Sequence, residues 1–136
     1  MGTTYWRNKL LDTAYCDTAN TMYVGLSSTI PESDGSGVSE PSGCNYSRII
    51  VDSFTNAVDG CVTNSKDIVF QKSSGVWFTP SHPAVCWVVF DGNLQDANVL
   101  FWGNLNPSVV IFSNTQVTIP AQAMRVELLN YIEVVN

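Results

Sequence analysis

The residues that most often perform acid–base or nucleophilic chemistry are few and scattered in this 136-residue sequence. The single histidine, His82, lies in the run Pro80-Ser81-His82-Pro83. A Ser–His pair suggests nucleophilic catalysis, but adjacent side chains on an extended chain point in different directions, and no third group is identifiable that would orient the imidazole. We therefore expect His82 to be a surface-loop residue and the chain not to be an enzyme.

Acidic residues near glycines raise the question of a cation or phosphate site. Glu32, Asp34 and Glu40 lie close to Gly35 and Gly37, but the segment lacks the Asp-x-Asp-x-Asp-Gly spacing and terminal Glu of a calcium loop. The same glycines precede neither a Lys-Ser or Lys-Thr pair nor the start of a helix, as a phosphate-binding loop requires. The sequence predicts no metal and no cofactor.

The cysteines do not have the spacing of a metal or redox motif. Cys16, Cys44, Cys61 and Cys86 form no Cys-x-x-Cys pair, which excludes the usual zinc and thioredoxin-like patterns. Four cysteines allow three disulfide pairings. Because no signal peptide is recognisable, we favour isolated thiols in or near the core. The alternative is a disulfide, within or between subunits, that forms after release from a reducing cytosol.

The tryptophans raise the possibility of a carbohydrate-binding module, since exposed aromatic rings on β-sheets stack on sugars. Trp87 and Trp102 lie in apolar segments and are predicted to anchor the core or an interface. Trp77, in the segment 73–78, is the better candidate for an exposed ligand platform. The alternative for Trp77 is a buried anchor that closes one end of the fold.

The elements that would position these residues are mainly β-strands. The sequence contains 24 Val and Ile but only 8 Leu, a composition that favours pleated sheets. A short helix capped by Thr4 is predicted over residues 5–12. Residues 28–45 hold three Gly and two Pro among polar residues and are predicted to form a long surface loop. Strands are predicted at residues 21–27, 46–54, 68–70, 84–91, 98–105, 109–112, 115–119 and 124–129.

The order of these strands predicts the fold class. Residues 84–91 and 98–105 flank the turn signal Asp91-Gly92 and are predicted to form a hairpin. Short strands at this spacing, without intervening helices, indicate an antiparallel arrangement. We expect a mainly β protein, a single domain over residues 1–136. Its expected form is an antiparallel β-sandwich, jelly-roll-like or barrel-like, with the short N-terminal helix added.

Charge excludes several classes of partner. Charged residues make up only 13% of the chain, and the formal net charge is −6. The chain therefore lacks the basic footprint of proteins that bind nucleic acids or anionic membranes. Its apolar runs are far shorter than the roughly 20 residues that cross a bilayer. We expect neither a nucleic-acid partner nor a membrane.

The shortage of charge is concentrated in residues 73–124, which contain no Lys or Arg and only two acids, Asp91 and Asp96. The strands predicted there are apolar on both faces, whereas a sheet in a free monomer usually shows one polar face to water. We expect a cover on each face: the core on one, and other strands or a partner subunit on the second. The candidate interface residues in these strands are Val85, Trp87, Val89, Phe101 and Trp102.

A distinctive order of motifs runs along the chain. It begins with Met-Tyr-Val-Gly-Leu-Ser-Ser-Thr-Ile-Pro at residues 22–31 and Asp-Gly-Ser-Gly-Val-Ser-Glu-Pro-Ser-Gly at 34–43, followed by Tyr46-Ser47-Arg48. It continues with Gly-Val-Trp at 75–77, Val-Leu-Phe-Trp-Gly-Asn-Leu at 99–105 and Ile-Pro-Ala-Gln-Ala-Met at 119–124. This order resembles a family of small tailed-bacteriophage virion proteins, usually labelled phage tail fibre or minor tail proteins. The resemblance covers roughly residues 5–129.

The resemblance implies a structural role in the virion, without catalysis or a cofactor. It places the long loop in the family's most recognisable block, where Asp34, Glu40 and Arg48 are candidate contact residues. Arg48 is the one basic residue of that block and is expected to fix the loop by pairing with Glu40 or Asp34. Cys44 stands where the family tends to have Gly. Residues 80–84, Pro-Ser-His-Pro-Ala, replace a sequence that would more ordinarily lead into a strand.

We therefore expect a virion protein of the tail, baseplate or fibre that assembles in the host cytoplasm with itself, as a homo-oligomer, and with neighbouring virion proteins. Two other functions remain open. One is a capsid-decorating or head-fibre protein. The other is a receptor-recognition module that binds a host-surface glycan.

Overall fold

Short antiparallel strands make up the regular structure. The computed structural model describes residues 22–51, 54–56 and 58–127, and these contain no helix. The strands are β1 Met22–Ser27, β2 Ile49–Val51, β3 Cys61–Thr63, β4 Ile68–Val69, β5 Ala84–Phe90, β6 Val99–Val109, β7 Thr118–Ile119 and β8 Arg125–Glu127. The prediction of a mainly β, antiparallel chain is confirmed. The predicted helix over residues 5–12 lies outside the described residues, as does Cys16.

The largest sheet has four strands in the order β2-β1-β5-β6. β5 is central and pairs with β1 from Tyr23↔Phe90 to Ser27↔Cys86. The predicted hairpin of β5 and β6 is confirmed, with Val88 opposite Trp102. The register shifts between Cys86↔Asn104 and Ala84↔Val109, so residues 105–108 of β6 bulge out opposite a single residue of β5.

One face of this sheet packs against the two smaller sheets, β3-β8 and β4-β7. Residues two apart on a strand share a face, and alternation along β1 places Met22, Val24 and Leu26 in this core, as predicted. Trp87 and Val89 of β5 join them. The smaller sheets contribute Val62, Ile68, Ile119 and Val126.

The opposite face, called the outer face below, is also apolar along β5. Cys86, Val88 and Phe90 are buried there. Val38 of the long loop packs against this cluster, as do Ala97 and Val99 at the end of the hairpin. The predicted covering of both faces is therefore confirmed for β5, and the second cover is supplied by the chain itself.

Several strand predictions differ from the structure in length. Of the described residues in the predicted strand at 46–54, Ile49–Val51 form β2, and the side chains of Tyr46 and Arg48 before it bond to other elements. Residues 109–112 do not form a separate strand: Val109 ends β6, and Ile111 forms an isolated bridge with Phe78. β3 was not predicted, since its partner β8 lies far along the chain.

Candidate functional site

The long loop is held in one conformation by hydrogen bonds at its base. We call residues 28–48 the covering loop. The backbone N–H of Ser28 donates to the Ser39 carbonyl at 3.0 Å, and the Ser39 N–H donates to Ser27 Oγ at 3.0 Å. Gly35 and Gly37 both have φ near +86°, in the left-handed region that glycine adopts without strain. The loop sequence thus specifies its turns and returns the chain to the sheet.

A carboxylate and a guanidinium meet beneath this loop. Nη2 of Arg48 lies 2.7 Å from Oε1 of Glu40, and the two side chains are only 9% and 16% exposed. The Tyr46 hydroxyl donates to Glu40 Oε2 at 2.6 Å and accepts from the Leu26 N–H at 3.0 Å. Gly25 of β1 leaves the room for this approach, because a Cβ there would lie 2.5 Å from Glu40 Oε2. Paired charges at low exposure bond more strongly than surface pairs.

The other side of the Arg48 guanidinium binds the turn between β5 and β6. We call residues 91–98 the hairpin turn. Nη1 of Arg48 donates to the carbonyls of Gly92 and Leu94, each at 3.0 Å. The guanidinium carbon also lies 3.5 Å from the centroid of the Phe90 ring, a cation–π contact. Arg48 therefore ties the covering loop to the hairpin turn.

The sequence left two acidic partners open for Arg48, and the structure identifies Glu40. Asp34 instead accepts hydrogen bonds from the backbone N–H of Ser36 at 3.0 Å and from its hydroxyl at 2.6 Å. These bonds lower the pKa of Asp34 below its ordinary value. Burial, followed by the nearby Glu40 carboxylate, raises the pKa of Tyr46 well above its ordinary range. The phenol therefore stays protonated and keeps its bond to Glu40.

The hairpin turn has its own internal clamp. The Asp91 carboxylate accepts hydrogen bonds from the Asn98 N–H at 2.8 Å and from Asn98 Nδ2 at 2.9 Å, which lower its pKa. The Ala97 N–H donates to the Leu94 carbonyl at 3.0 Å. The Leu94 side chain projects outward and is 73% exposed. This turn thus presents an apolar side chain on a fixed backbone.

The cavity between the covering loop and the hairpin turn is open and of about 750 Å³. Its charged groups include Glu40 and Arg48, which are bonded to each other and to neighbouring protein groups. Acid–base chemistry needs a group that can exchange its proton with a substrate, and these two side chains are engaged in holding the loop. The arrangement stabilises the shape of the outer face.

Trp77 is not an exposed ligand platform, which corrects that prediction. Its side chain is 6% exposed, and its indole N–H donates to the Cys44 carbonyl at 2.7 Å. The ring meets Tyr46 edge-on at 5.2 Å between centroids and packs near Phe70. Trp77 is an anchor between the covering loop and the core, as the alternative reading proposed.

The candidate interface residues of the hairpin separate by face. Trp87 and Val89 are buried in the core and have no surface to offer a partner in this structure. Val85 and Phe101 are half-buried. Trp102, opposite Val88 on the outer face, is 38% exposed. The interface prediction therefore depends on Trp102 and its neighbours, with core roles for Trp87 and Val89.

The described cysteines occupy different environments. Cys44 is exposed, with a free thiol. Cys86 also carries a free thiol, but it is buried against the start of the covering loop, and burial raises its pKa. Cys61 lies half-buried in β3, with its Sγ 3.7 Å from the Val62 carbonyl. His82 is exposed, as predicted, and its backbone N–H donates to the Thr79 hydroxyl at 3.1 Å.

A second concave surface was not predicted from the sequence. It has a volume of about 340 Å³ and lies beside the bulge of β6, and we call it the apolar groove. Buried side chains of four segments form its floor, namely Leu26, Trp87, Ile111 and Ile119. Asn104, Asn106 and Ala123 are exposed at its rim. Because the lining comes from distant parts of the chain, no local sequence pattern indicates it.

Among the residues that the structure describes, no three His, Cys, Asp or Glu side chains are grouped so that they could hold a metal ion. The same part of the chain contains no helix of the length and apolarity needed to cross a membrane.

Comparison with known proteins identifies the family. The family model described as podophage GP4 fiber I protein gp80 matches residues 2–127. None of the curated proteins matches the chain. The family match covers nearly the whole sequence and confirms the resemblance to phage tail fibre proteins that the motifs indicated. This chain belongs to the podophage GP4 fiber I protein gp80 family.

Proposed function

We propose that this chain is a structural component of a phage fibre at the tail or its baseplate. It acts by assembly with itself and with neighbouring virion proteins, and not by catalysis. The observation that carries the proposal is the family match over residues 2–127. Membership of a phage fibre family supports a structural role in the virion.

The geometry is that of a surface built to keep its shape. The charges of Glu40 and Arg48 pair with each other, and Arg48 also donates hydrogen bonds to the hairpin turn. A rigid surface loses less conformational entropy when a partner binds, and so favours assembly. Trp102 adds a partly exposed aromatic side chain, of the type enriched at interfaces. The free thiols of Cys44 and Cys86 fit assembly in the reducing host cytoplasm.

The carbohydrate-binding alternative is weakened because its candidate platform, Trp77, is buried. The capsid-decorating and head-fibre alternatives share the structural role and differ from the proposal only in location.

Localisation in purified particles tests the proposal. Virions would be probed by mass spectrometry and by gold-labelled antibodies against the chain in negative-stain electron microscopy. We expect the chain in the particle, with gold at the tail end. Gold distributed over the capsid would replace the tail location with a head-fibre or decorating role. Absence of the chain from purified particles would overturn the structural role.

A further inference from the structure

Three Asp-Gly pairs lie in turns or bends of the described structure, at positions 34–35, 59–60 and 91–92. An aspartate before glycine is especially prone to isomerisation, because glycine has no side chain to obstruct ring closure. The glycine nitrogen attacks the carboxyl carbon of the aspartate, a C–N bond forms, and water leaves. Water then opens the resulting succinimide. Opening at the main-chain carbonyl leaves the chain joined through the side chain, as isoaspartate.

Two of the three carboxylates are held by hydrogen bonds. That of Asp34 accepts from the Ser36 N–H at 3.0 Å and from the Ser36 hydroxyl at 2.6 Å. That of Asp91 accepts from the N–H and the side-chain amide of Asn98, at 2.8 and 2.9 Å. These bonds oppose the rotation that would bring the carboxyl carbon to the next nitrogen. They also lower the pKa of both aspartates, whereas ring closure needs the protonated acid in order to release water.

The Asp59 carboxylate lacks this restraint. It is exposed, and no hydrogen bond or ion pair engages it among the described residues. Asp59 also has a φ of +53°, in the left-handed region that is unfavourable for a residue with a side chain. Its turn is closed by the backbone bonds between Val58 and Cys61, at 2.9 and 3.0 Å. Short exposed turns open at low cost in free energy, so the folded chain leaves this side chain free to rotate.

We propose that Asp59-Gly60 is the pair at which the folded chain isomerises to isoaspartate as it ages. The step requires only water, which is released and taken up again, and it is independent of the proposed function. The product has one additional backbone atom, the former Cβ of Asp59, in a turn of two residues. β3 begins directly after this turn and pairs with β8 at Cys61↔Glu127, so the modification should loosen the start of that pair.

Peptide mapping of aged protein tests the site. Cleavage after Lys and Arg places the three pairs on separate peptides, 10–48, 49–66 and 73–125. The purified chain would be kept folded at about pH 7 for several weeks. Isoaspartate would then be quantified with isoaspartyl methyltransferase and located by electron-transfer fragmentation. We expect it to form at Asp59 about fivefold faster, or more, than at the other two pairs, because two hydrogen bonds protect each of those.

Incubation of the chain in a urea concentration that unfolds it separates the effect of the fold from that of the sequence. The three pairs should then isomerise at similar rates, because each aspartate precedes glycine. In the folded chain, Ser36→Ala removes the hydroxyl bond to Asp34 and should raise isoaspartate formation there severalfold. Ser42→Ala is the matched control, since Ser42 is an exposed serine of the same covering loop and its replacement should leave the rate at Asp34 unchanged.

Three results would overturn the inference. The first is isomerisation at Asp59 that is no faster than at Asp34 and Asp91 in the folded chain. The second is the same ranking of the three pairs in urea, which would assign the difference to neighbouring sequence and not to the fold. The third is an unchanged rate at Asp34 in Ser36→Ala, which would show that the hydrogen bonds give no protection. Far-ultraviolet circular dichroism would confirm that both variants fold.

Discussion

At Arg48, one side chain connects the covering loop to the end of β5 and the hairpin turn, which lie more than 40 positions away in sequence. Its guanidinium pairs with Glu40, donates to the carbonyls of Gly92 and Leu94, and covers the Phe90 ring. A planar guanidinium has donors in several directions, which a lysine ammonium cannot reproduce in this geometry. The position of the hairpin turn relative to the covering loop therefore depends on this one residue.

Neutralising the carboxylate tests how much the ion pair contributes. Glu40→Gln should lower the free energy of unfolding at pH 7 by about 3 kcal/mol, because it leaves the largely buried Arg48 charge without its counter-ion. Urea unfolding followed by tryptophan fluorescence measures the change. The matched control is Asp34→Asn, whose carboxylate is exposed and bonds only within its own turn. Equal unfolding midpoints for Glu40→Gln and the unmodified chain would contradict the prediction.

The Tyr46 phenol predicts a loss of stability at alkaline pH. Its pKa in the folded chain is raised above the ordinary value of 10.0, first by burial, so the folded state holds the proton more tightly than the unfolded chain. The contribution of the Tyr46 phenol to the free energy of unfolding is complete below about pH 10 and decreases as the pH rises further. Thermal unfolding from pH 8 to pH 11 should show this decrease.

Tyr46→Phe provides the comparison for that measurement. It should be less stable at pH 8, because the Leu26 N–H and Glu40 lose a hydrogen-bond partner, and less sensitive to pH above about 10. Identical pH dependence in Tyr46→Phe and the unmodified chain would show that other groups cause the loss of stability at alkaline pH.

Some of this site could be predicted from sequence. Arg48 is the one basic residue in an acidic, Gly-rich block, so its pairing with an acid followed from composition. The choice of Glu40 over Asp34 could not be predicted from composition, because it depends on Ser36 donating hydrogen bonds to the Asp34 carboxylate. The burial of Trp77 depends on Tyr46 and Phe70 packing around it from other segments.

At the scale of elements, the Trp87 indole packs closely against a glycine on the neighbouring strand. Gly103 lies opposite Trp87 in the β5–β6 ladder. A Cβ at this position would overlap Cζ2 of the indole and lie 2.5 Å from Cε2. The indole is a rigid ring held in the core, so it cannot move aside cheaply.

Gly103→Ala should therefore destabilise the chain by about 1–3 kcal/mol, the usual cost of overpacking. Gly92→Ala is the matched control, since its Cβ would meet Ala97 at an ordinary 3.5 Å. Chemical unfolding of both variants, with near-ultraviolet circular dichroism to report on the indole, measures the difference. Equal stability of the two variants would contradict the packing argument.

The strands themselves were predictable to different degrees. β1, β5 and β6 contain continuous or alternating apolar residues, and their existence and approximate bounds followed from that pattern. β3 and β8 have three residues each and pair from Cys61↔Glu127 to Thr63↔Arg125. β8 lies within the strand predicted at 124–129, whereas β3 was not predicted. Such a short strand is stabilised by its distant partner, which no local sequence pattern indicates.

At the scale of the whole molecule, the Cys86 thiol reports on unfolding of the central strand. Cys86 is buried under the covering loop, and its raised pKa lowers the fraction of reactive thiolate. In a variant that keeps only Cys86, with serine at the other cysteines, labelling by a thiol reagent should require opening of the structure. A variant that keeps only the exposed Cys44 should react at once.

The two single-cysteine variants would be labelled across a series of urea concentrations. We expect the Cys86 rate to rise with urea in parallel with global unfolding, and the Cys44 rate to stay nearly constant. Rapid labelling of Cys86 without denaturant would show that the covering loop opens independently of the sheet.

β1 cannot take its place in the sheet until β5 has been synthesised. Ser27 and Cys86, which pair across these strands, are 59 positions apart. At ribosomal rates of about 5–20 residues per second, β1 waits about 3–12 seconds for its partner. During that interval the apolar residues of β1 are available for wrong contacts, because the β1–β5 pairing that joins the β1–β2 pair to the β5–β6 hairpin is long-range and slow to form. We therefore expect the nascent chain to depend on chaperones, although the finished fold is held by its own loop.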